Sequence, residues 1–137
     1  MALTVKEYKT FLPDEITALY RSAGWTNYLK RADVLRAAYE NSLCVFGAYD
    51  GDKLIGIVRA VGDGLTVVFI QDVIVLPEYR RRGTGTKLLN AVLDRYKDVY
   101  QIELLTDDTE ETAAFYRAAG FVRADETCCV SFIRRTV

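Results

Sequence analysis

Three arginines, Arg80 to Arg82, lie directly before the segment Gly83-Thr84-Gly85, and an apolar helical pattern begins immediately after it. The start of a helix leaves backbone N–H groups unpaired, and glycines allow a ligand to approach the backbone closely. Three cations at the positive end of a helix dipole repel it unless a negative group is bound there. The spacing therefore predicts an anion-binding site at the start of this helix.

Two common glycine-rich motifs do not fit this segment. A phosphate-binding loop of the Walker type needs G-x-x-x-x-G-K-[ST], and the glycine spacing here is different. A dinucleotide-binding turn needs a third glycine at position 88, which is Leu88, and a βαβ unit near the N-terminus. The segment is neither a Walker loop nor a dinucleotide fingerprint.

Acid–base chemistry in this chain must be carried out without histidine, because the sequence contains none. This absence excludes Ser-His and Cys-His nucleophilic pairs and histidine-based metal sites. Asp72 is the one charged residue between Leu65 and Val75, so it needs either an ion pair with a neighbouring strand or a catalytic purpose. Both alternatives stay open for Asp72, and Glu103 is a second candidate for a general base. Cys44, Cys128 and Cys129 lack a disulfide or zinc spacing, so we expect reduced thiols.

The composition predicts one soluble domain over residues 1–137. The net charge is −1, which gives no reason to expect nucleic acid as a partner. No apolar run approaches the roughly 20 residues of a membrane span, and charges interrupt the N-terminus where a signal peptide is apolar. We therefore expect a cytoplasmic protein without a membrane or metal requirement.

The elements that must position these residues follow the order β-α-α-β-β-β-α-β-α-β-β. A long apolar strand contains Asp72 and ends at Pro77, and the strand at 101–105 should lie parallel to it because a helix connects them. The last two strands are predicted near 121–124 and 128–134. The resulting fold class is α/β, with a mixed, mostly antiparallel central sheet of about six or seven strands and helices on both faces.

The segment Arg80-Arg81-Arg82-Gly83-Thr84-Gly85 resembles Q/R-x-x-G-x-G/A, the pyrophosphate-binding signature of the GNAT acyltransferases. The segment "TEETAAFYRAAGF" resembles the second signature of that family, a helix that carries a tyrosine and ends in Gly-Phe. The order of strands and helices is similar over essentially the whole chain. These features together predict a GNAT fold.

The resemblance implies an N-acetyltransferase that uses acetyl-CoA as its acyl donor. It implies that backbone N–H groups from about Arg81 to Thr86 bind the pyrophosphate, and that Val73, Ile74 and Val75 hold the pantetheine. The Val75 N–H would polarise the thioester carbonyl. Tyr116 falls where the family usually carries its general acid, and Asp72 lies where many relatives place a base, with Glu103 or water as alternatives. Relatives often have asparagine where this chain has Thr109. Threonine can still cap a helix or bond to pantetheine, but less fully than asparagine.

The acceptor amine is not specified by the sequence. The loop containing Trp25 and Tyr28 could line an acceptor pocket, or its aromatic rings could close the core under the helices. The acceptor could be a small-molecule or a peptide amine. A non-catalytic CoA-binding or sensor module with the same fold is the alternative function, and we expect a homodimer formed through the C-terminal strands.

Overall fold

The computed structural model describes residues 3–136. Its strands and helices, in chain order, are β1 (Leu3–Glu7), α1 (Pro13–Ser22), α2 (Ala32–Glu40), β2 (Cys44–Asp50), β3 (Lys53–Gly62), β4 (Val67–Val75), α3 (Thr84–Arg95), β5 (Gln101–Leu104) and α4 (Glu110–Ala118). Short 3₁₀ turns lie at Tyr28–Arg31, Pro77–Tyr79 and Ala124–Thr127. The chain forms two compact units, one up to Leu105 and one from Thr106. A single domain over 1–137 stays a prediction.

The first unit is built on a sheet with the strand order β1-β2-β3-β4-β5. Strands β1 to β4 pair antiparallel, whereas β4 and β5 pair parallel, from Val67 opposite Gln101 to Ile70 opposite Leu104. The predicted parallel pairing between the long apolar strand and residues 101–105 is therefore confirmed, as is the mixed α/β class.

The predicted number of six or seven strands is wrong for the described residues, where the sheet has five. Neither 121–124 nor 128–134 forms a strand. Arg123 donates to Asp125 through two side-chain nitrogens, and its backbone N–H donates to the Glu126 carboxylate, which curls the chain into a 3₁₀ turn. Cys128 then has φ 65, a left-handed conformation that an extended strand does not contain.

Helices cover both faces of this sheet. A Cβ placed on Gly56 would lie 3.1 Å from the Leu88 side chain, so that face of β3 packs against α3. Arg59 lies three residues further along the same strand and therefore points to the opposite face. On that face Arg59 and Asp72 meet Tyr20 of α1. The sheet interior is apolar apart from these charged groups, and Ile55, Ile57 and Val58 are fully buried.

Strand β4 has two irregularities near its middle. Asp72 pairs with Arg59 and Ile70 pairs with Ala60, so Gln71 is an extra residue on β4 and forms a β-bulge. The pairing between β4 and β5 also ends at Ile70, although β4 continues to Val75. Among the described strands, none pairs with this edge of β4 beyond Ile70.

Within residues 3–136, no helix has both the length and the apolar character needed to cross a bilayer.

Candidate active site

The glycine-rich turn before α3 has an unusual backbone. Gly83 is the N-cap of α3 with φ 77, and Arg81 also has a positive φ, 63. A left-handed arginine costs free energy and persists only where its surroundings hold it, which occurs most often at ligand sites and turns. A Cβ on Gly83 would meet no atom within 4 Å, so the space above this turn is open.

The N-terminus of α3 offers unpaired backbone donors. The first helical bond runs from the Lys87 N–H to the Gly83 carbonyl, so the N–H groups of Thr84, Gly85 and Thr86 have no partner within the helix. Gly83 has no side chain to cap them. The Thr84 side chain is buried and its hydroxyl lies 3.5 Å from the Tyr79 carbonyl, so a ligand would meet Thr84 through its backbone.

The three arginines next to this helix are exposed. In residues 3–136 none of them forms an ion pair with a carboxylate. Arg80 donates to the Val75 carbonyl at 3.3 Å, and the Arg82 guanidinium lies 5.3 Å from the centre of the Tyr79 ring. Three unpaired cations beside unpaired helix donors form a cluster that favours a bound anion.

The end of β4 presents backbone donors on its unpaired edge. The Leu76 N–H donates to the Ile55 carbonyl of β3 at 2.9 Å. Backbone groups of neighbouring residues in an extended strand point to opposite edges, so the N–H groups of Val75 and Val73 point away from β3. These donors therefore lie on the edge that β5 leaves free, and this edge ends a few residues before the arginines.

Asp72 lies in a buried ion pair, which is one of the two alternatives that the sequence left open. Its Oδ2 atom is 2.8 Å from Arg59 Nε, and the two side chains are 1% and 7% exposed. The Tyr20 hydroxyl donates to the same oxygen at 2.7 Å. The second alternative, proton acceptance by Asp72 during catalysis, stays a prediction.

A short chain of hydroxyls extends this ion pair. Because the Tyr20 proton goes to Asp72, the Tyr39 hydroxyl must donate to the Tyr20 oxygen, 3.0 Å away. Burial raises the pKa of Tyr20, and the neighbouring Tyr39 and Asp72 raise it further. Burial lowers the pKa of Arg59, but the Asp72 carboxylate more than offsets this, so the net shift is upward. The tyrosine stays neutral and the guanidinium stays charged.

Trp25 and Tyr28, the predicted acceptor residues, both contact Tyr20 edge to face, with ring centres 6.2 and 5.1 Å from it. Tyr28 also accepts a hydrogen bond from Gln71, the bulge residue of β4, at 3.3 Å. Tyr28 forms one wall of a cavity of about 140 Å³ that Phe11, Leu35 and Arg36 also line. Tyr28 thus lies at the surface of the core and beside a cavity, whereas Trp25 packs on Tyr20 and is 39% exposed.

The second unit holds the other predicted residues. Tyr116 lies on α4, half-buried between the rings of Phe115 and Phe121, whose centres are 4.9 and 5.8 Å away. Burial raises its pKa, so the phenol keeps its proton at neutral pH. Thr109 is the N-cap of α4 and accepts from the Thr112 N–H at 3.2 Å. The capping role expected for Thr109 is therefore present.

Glu103, the second candidate base, lies exposed on β5 and accepts a hydrogen bond from the neighbouring Gln101 side chain. Among residues 3–136, no buried side chain bonds to Glu103 to hold it in place as a proton acceptor.

Sequence reasoning missed Tyr20, Arg59 and Gln71. Arg59 could have been found, because it is the one charged residue in the apolar run 54–61, the same signal that marked Asp72. Tyr20 falls on an apolar stripe of its helix, a pattern that by itself indicates core packing, and Gln71 carries no signal of a bulge in its residue type.

This α/β protein combines a helix start with unpaired N–H donors and the unpaired edge of a bulged central strand, an arrangement that suits an extended, phosphate-bearing ligand. The sequence profile of the acetyltransferase (GNAT) family matches residues 8–121. The chain belongs to this family.

Individual relatives agree with this assignment. A GNAT-family acetyltransferase protein of Streptococcus pneumoniae is 37% identical, with a TM-score of 0.90 over 98% of both chains. An uncharacterized N-acetyltransferase, ycf52, of Gracilaria tenuistipitata is 30% identical over 79% of this chain and 60% of its own length. This chain therefore spans about three-fifths of the length of that curated relative. It spans 26% of the length of an uncharacterized protein of Mycobacterium leprae. The aminoglycoside acetyltransferase AAC(6′)-Iy, solved with a CoA-linked bisubstrate analogue, shares the fold at 21% identity, with a TM-score of 0.75 over the full length of both chains.

Proposed function

We propose that this protein is an N-acetyltransferase that transfers the acetyl group of acetyl-CoA directly to a primary amine. The observation that carries the proposal is the pairing of two donor sets: unpaired N–H groups at the start of α3 and the free Val73 and Val75 N–H groups on β4. The first set suits a pyrophosphate and the second suits an extended amide chain ending in a thioester.

The arginines complete the proposed CoA site. Arg80, Arg81 and Arg82 are exposed and free of carboxylate partners among the described residues, so bound phosphates would offset their repulsion from the helix dipole. The backbone of Gly83, Thr84, Gly85 and Thr86 would cradle the phosphate oxygens. In the proposed mechanism the backbone of Ile74 pairs with β3 and so fixes the orientation of β4. The N–H groups of its neighbours, Val73 and Val75, then face the ligand.

Two proton transfers complete the proposed reaction. Tyr116 protonates the departing thiolate as a general acid, and Thr109 caps the helix that carries it. Asp72, Glu103 or water accepts the proton of the amine. The acceptor itself is a small-molecule or peptide amine that approaches along the side formed by Trp25 and Tyr28.

Acetyl-CoA should raise the melting temperature of this protein by about 10 °C at a hundredfold excess over its Kd, which corresponds to ~2.7 kcal/mol of binding-coupled stability. Desulfo-CoA should do nearly as well, because the pyrophosphate contacts remain, and NAD should do little. Gly83→Val should remove the shift, since valine strains φ 77 and fills the open space above the helix start. Differential scanning fluorimetry measures all four cases.

Gly24→Val is the matched control, because Gly24 has φ 75 and equally open surroundings but lies away from α3. It should lower the starting stability in the same way and keep the acetyl-CoA shift. A Gly83→Val protein that binds acetyl-CoA normally would place the pyrophosphate elsewhere.

Catalysis is separated from mere CoA binding by release of free thiol from acetyl-CoA in the presence of amines. The panel should include small amines, polyamines, aminoglycosides, arylalkylamines and peptides. Binding of acetyl-CoA without thiol release for any of them would favour the non-catalytic CoA-binding module.

We also propose that this protein forms a homodimer, because the second unit exposes apolar side chains that a partner would cover. Its C-terminal segment exposes apolar side chains, with Phe132 at 93% and Val130 at 69%. Phe132→Asp should convert a dimer into a monomer in multi-angle light scattering. Leu65→Asp, which changes a 75% exposed leucine of the first unit, should leave the assembly intact. A wild-type protein that is monomeric at high micromolar concentration would contradict the proposal.

A further inference from the structure

Tyr20 is the point at which several separate parts of the first unit meet. Its side chain is fully buried, and its hydroxyl holds Asp72 of β4 at 2.7 Å. Its ring holds Trp25 and Tyr28, the aromatic residues of the loop that follows α1. One residue thus links the strand that presents the Val75 donor to the loop on the proposed acceptor side.

A second link runs in parallel through the bulge. Gln71 is the extra residue of β4, and its side-chain amide donates to the Tyr28 hydroxyl. Since Gln71 precedes Asp72 directly, both links attach the loop to the same two residues of the strand. The attachment lies where β4 loses its β5 partner, which is the start of the edge proposed to hold the thioester.

The groups around the Tyr20 hydroxyl fix its position and the direction in which it donates. Arg59 fixes the Asp72 carboxylate from β3, and the Tyr39 hydroxyl fills the remaining position on the Tyr20 oxygen. The phenol of Tyr20 therefore has its donor and its acceptor positions both occupied. A ring held at its hydroxyl end cannot shift without breaking a bond to a buried charge, so the rings packed on it are held as well.

Trp25 and Tyr28 together form the wall on the proposed acceptor side. We infer that Tyr20 is a positioning residue that holds this wall at a fixed distance from β4, so that the acceptor amine meets the thioester. This inference rests on the proposed function for its kinetic part. Its structural part does not, because Trp25 is the one tryptophan in the chain and reports on the wall directly.

The first measurement is quenching of Trp25 fluorescence by acrylamide in Tyr20→Phe and in Tyr39→Phe. Each variant removes one hydroxyl from the same buried chain. Tyr39→Phe leaves the Tyr20–Asp72 bond intact, and the Tyr39 ring contacts Tyr8, Phe11 and Tyr20, not the rings of the wall. We expect quenching to increase about twofold in Tyr20→Phe, because this variant loses the hydrogen bond to the Asp72 carboxylate. Quenching should stay at the wild-type level in Tyr39→Phe, which keeps that bond.

The second measurement is kinetic, with an amine that the panel identifies. Tyr20→Phe should raise the KM for the amine about tenfold, the factor that loss of one hydrogen bond to a charged group gives. Its kcat should change much less, and its acetyl-CoA melting shift should match that of the wild type. Tyr39→Phe should leave the KM unchanged.

Each result decides the inference. Equal quenching in Tyr20→Phe and wild type, or an equal increase in both variants, would overturn it. So would a Tyr20→Phe protein that fails to fold beside a folded Tyr39→Phe, because Tyr20 would then be a general support of the core. An unchanged amine KM with loosened Trp25 would remove the link to the acceptor. Failure of the wild type to acetylate any amine would instead contradict the proposed function, while the quenching comparison still tests the wall.

Discussion

Replacing Asp72 with asparagine should lower the free energy of unfolding by about 3–5 kcal/mol, the usual cost of removing one partner from a buried ion pair. Asparagine can still accept from Tyr20, but it leaves the Arg59 guanidinium buried without a counter-charge. Domains of this kind are stable by roughly 5–15 kcal/mol, so the loss is a large share of the total. Urea denaturation followed by circular dichroism measures it.

Two further proteins make this result specific. Glu7→Gln breaks the pair between Glu7 and Arg95, whose side chains are 37% and 40% exposed, and it should change stability very little. The double variant Arg59→Met/Asp72→Leu removes both charges and should be considerably more stable than Asp72→Asn. A double variant as unstable as the single one would mean that the polar network itself, and not the orphaned charge, accounts for the loss.

The same Asp72→Asn protein tests the proposed base. If Asp72 accepts the amine proton, its loss should slow transfer mainly below the pKa of the amine, and the rate should recover as the pH rises. The recovery follows because a more basic solution supplies the amine already neutral. A rate deficit that is equal at every pH and follows the unfolded fraction would leave Asp72 a structural role only.

The parts of this molecule that could be predicted from sequence are those set by local patterns. The start of α3 at Thr84 follows from glycines and helical periodicity, and the parallel placement of β5 follows from the helix that precedes it. The partner of Asp72 could not be fixed in this way, because it depends on which residue of β3 lies opposite. That register contains a bulge at Gln71, and a one-residue change would have moved Arg59 to the other face.

The apolar residues of 121–124 and 128–134 predict two C-terminal strands, but local polar contacts of the first of these segments oppose extension. Arg123 reaches Asp108 at 2.8 Å and also bonds to Asp125, and these contacts form a turn where the residue types alone favour extension. Extended segments also need a neighbouring edge, and the apolar content of "VSFI" does not supply one. A hydrophobic pattern predicts that a segment buries its apolar side chains, but it does not identify the element against which they pack.

Tyr116→Phe should lower kcat by ~10²-fold or more, the usual scale of help from a general acid, equivalent to about 2.7 kcal/mol in the barrier. Burial raises the pKa of this phenol above its usual value near 10. A raised pKa extends the range in which the group carries its proton, so the wild type should keep this acid up to pH values above 10. Steady-state rates measured with saturating amine and acetyl-CoA give the ratio.

The control for this variant is Tyr100→Phe, which removes a hydroxyl from a tyrosine that is 87% exposed on the first unit. It should leave kcat unchanged, and neither variant should alter the acetyl-CoA melting shift, because one hydroxyl adds little to pyrophosphate binding. Rapid-quench measurements establish whether the chemical step limits the rate. If it does and Tyr116→Phe keeps the wild-type kcat, Tyr116 only packs against Phe115 and Phe121. Catalysis would then depend on positioning and on the Val75 N–H, with water as the source of the proton that the thiolate takes up.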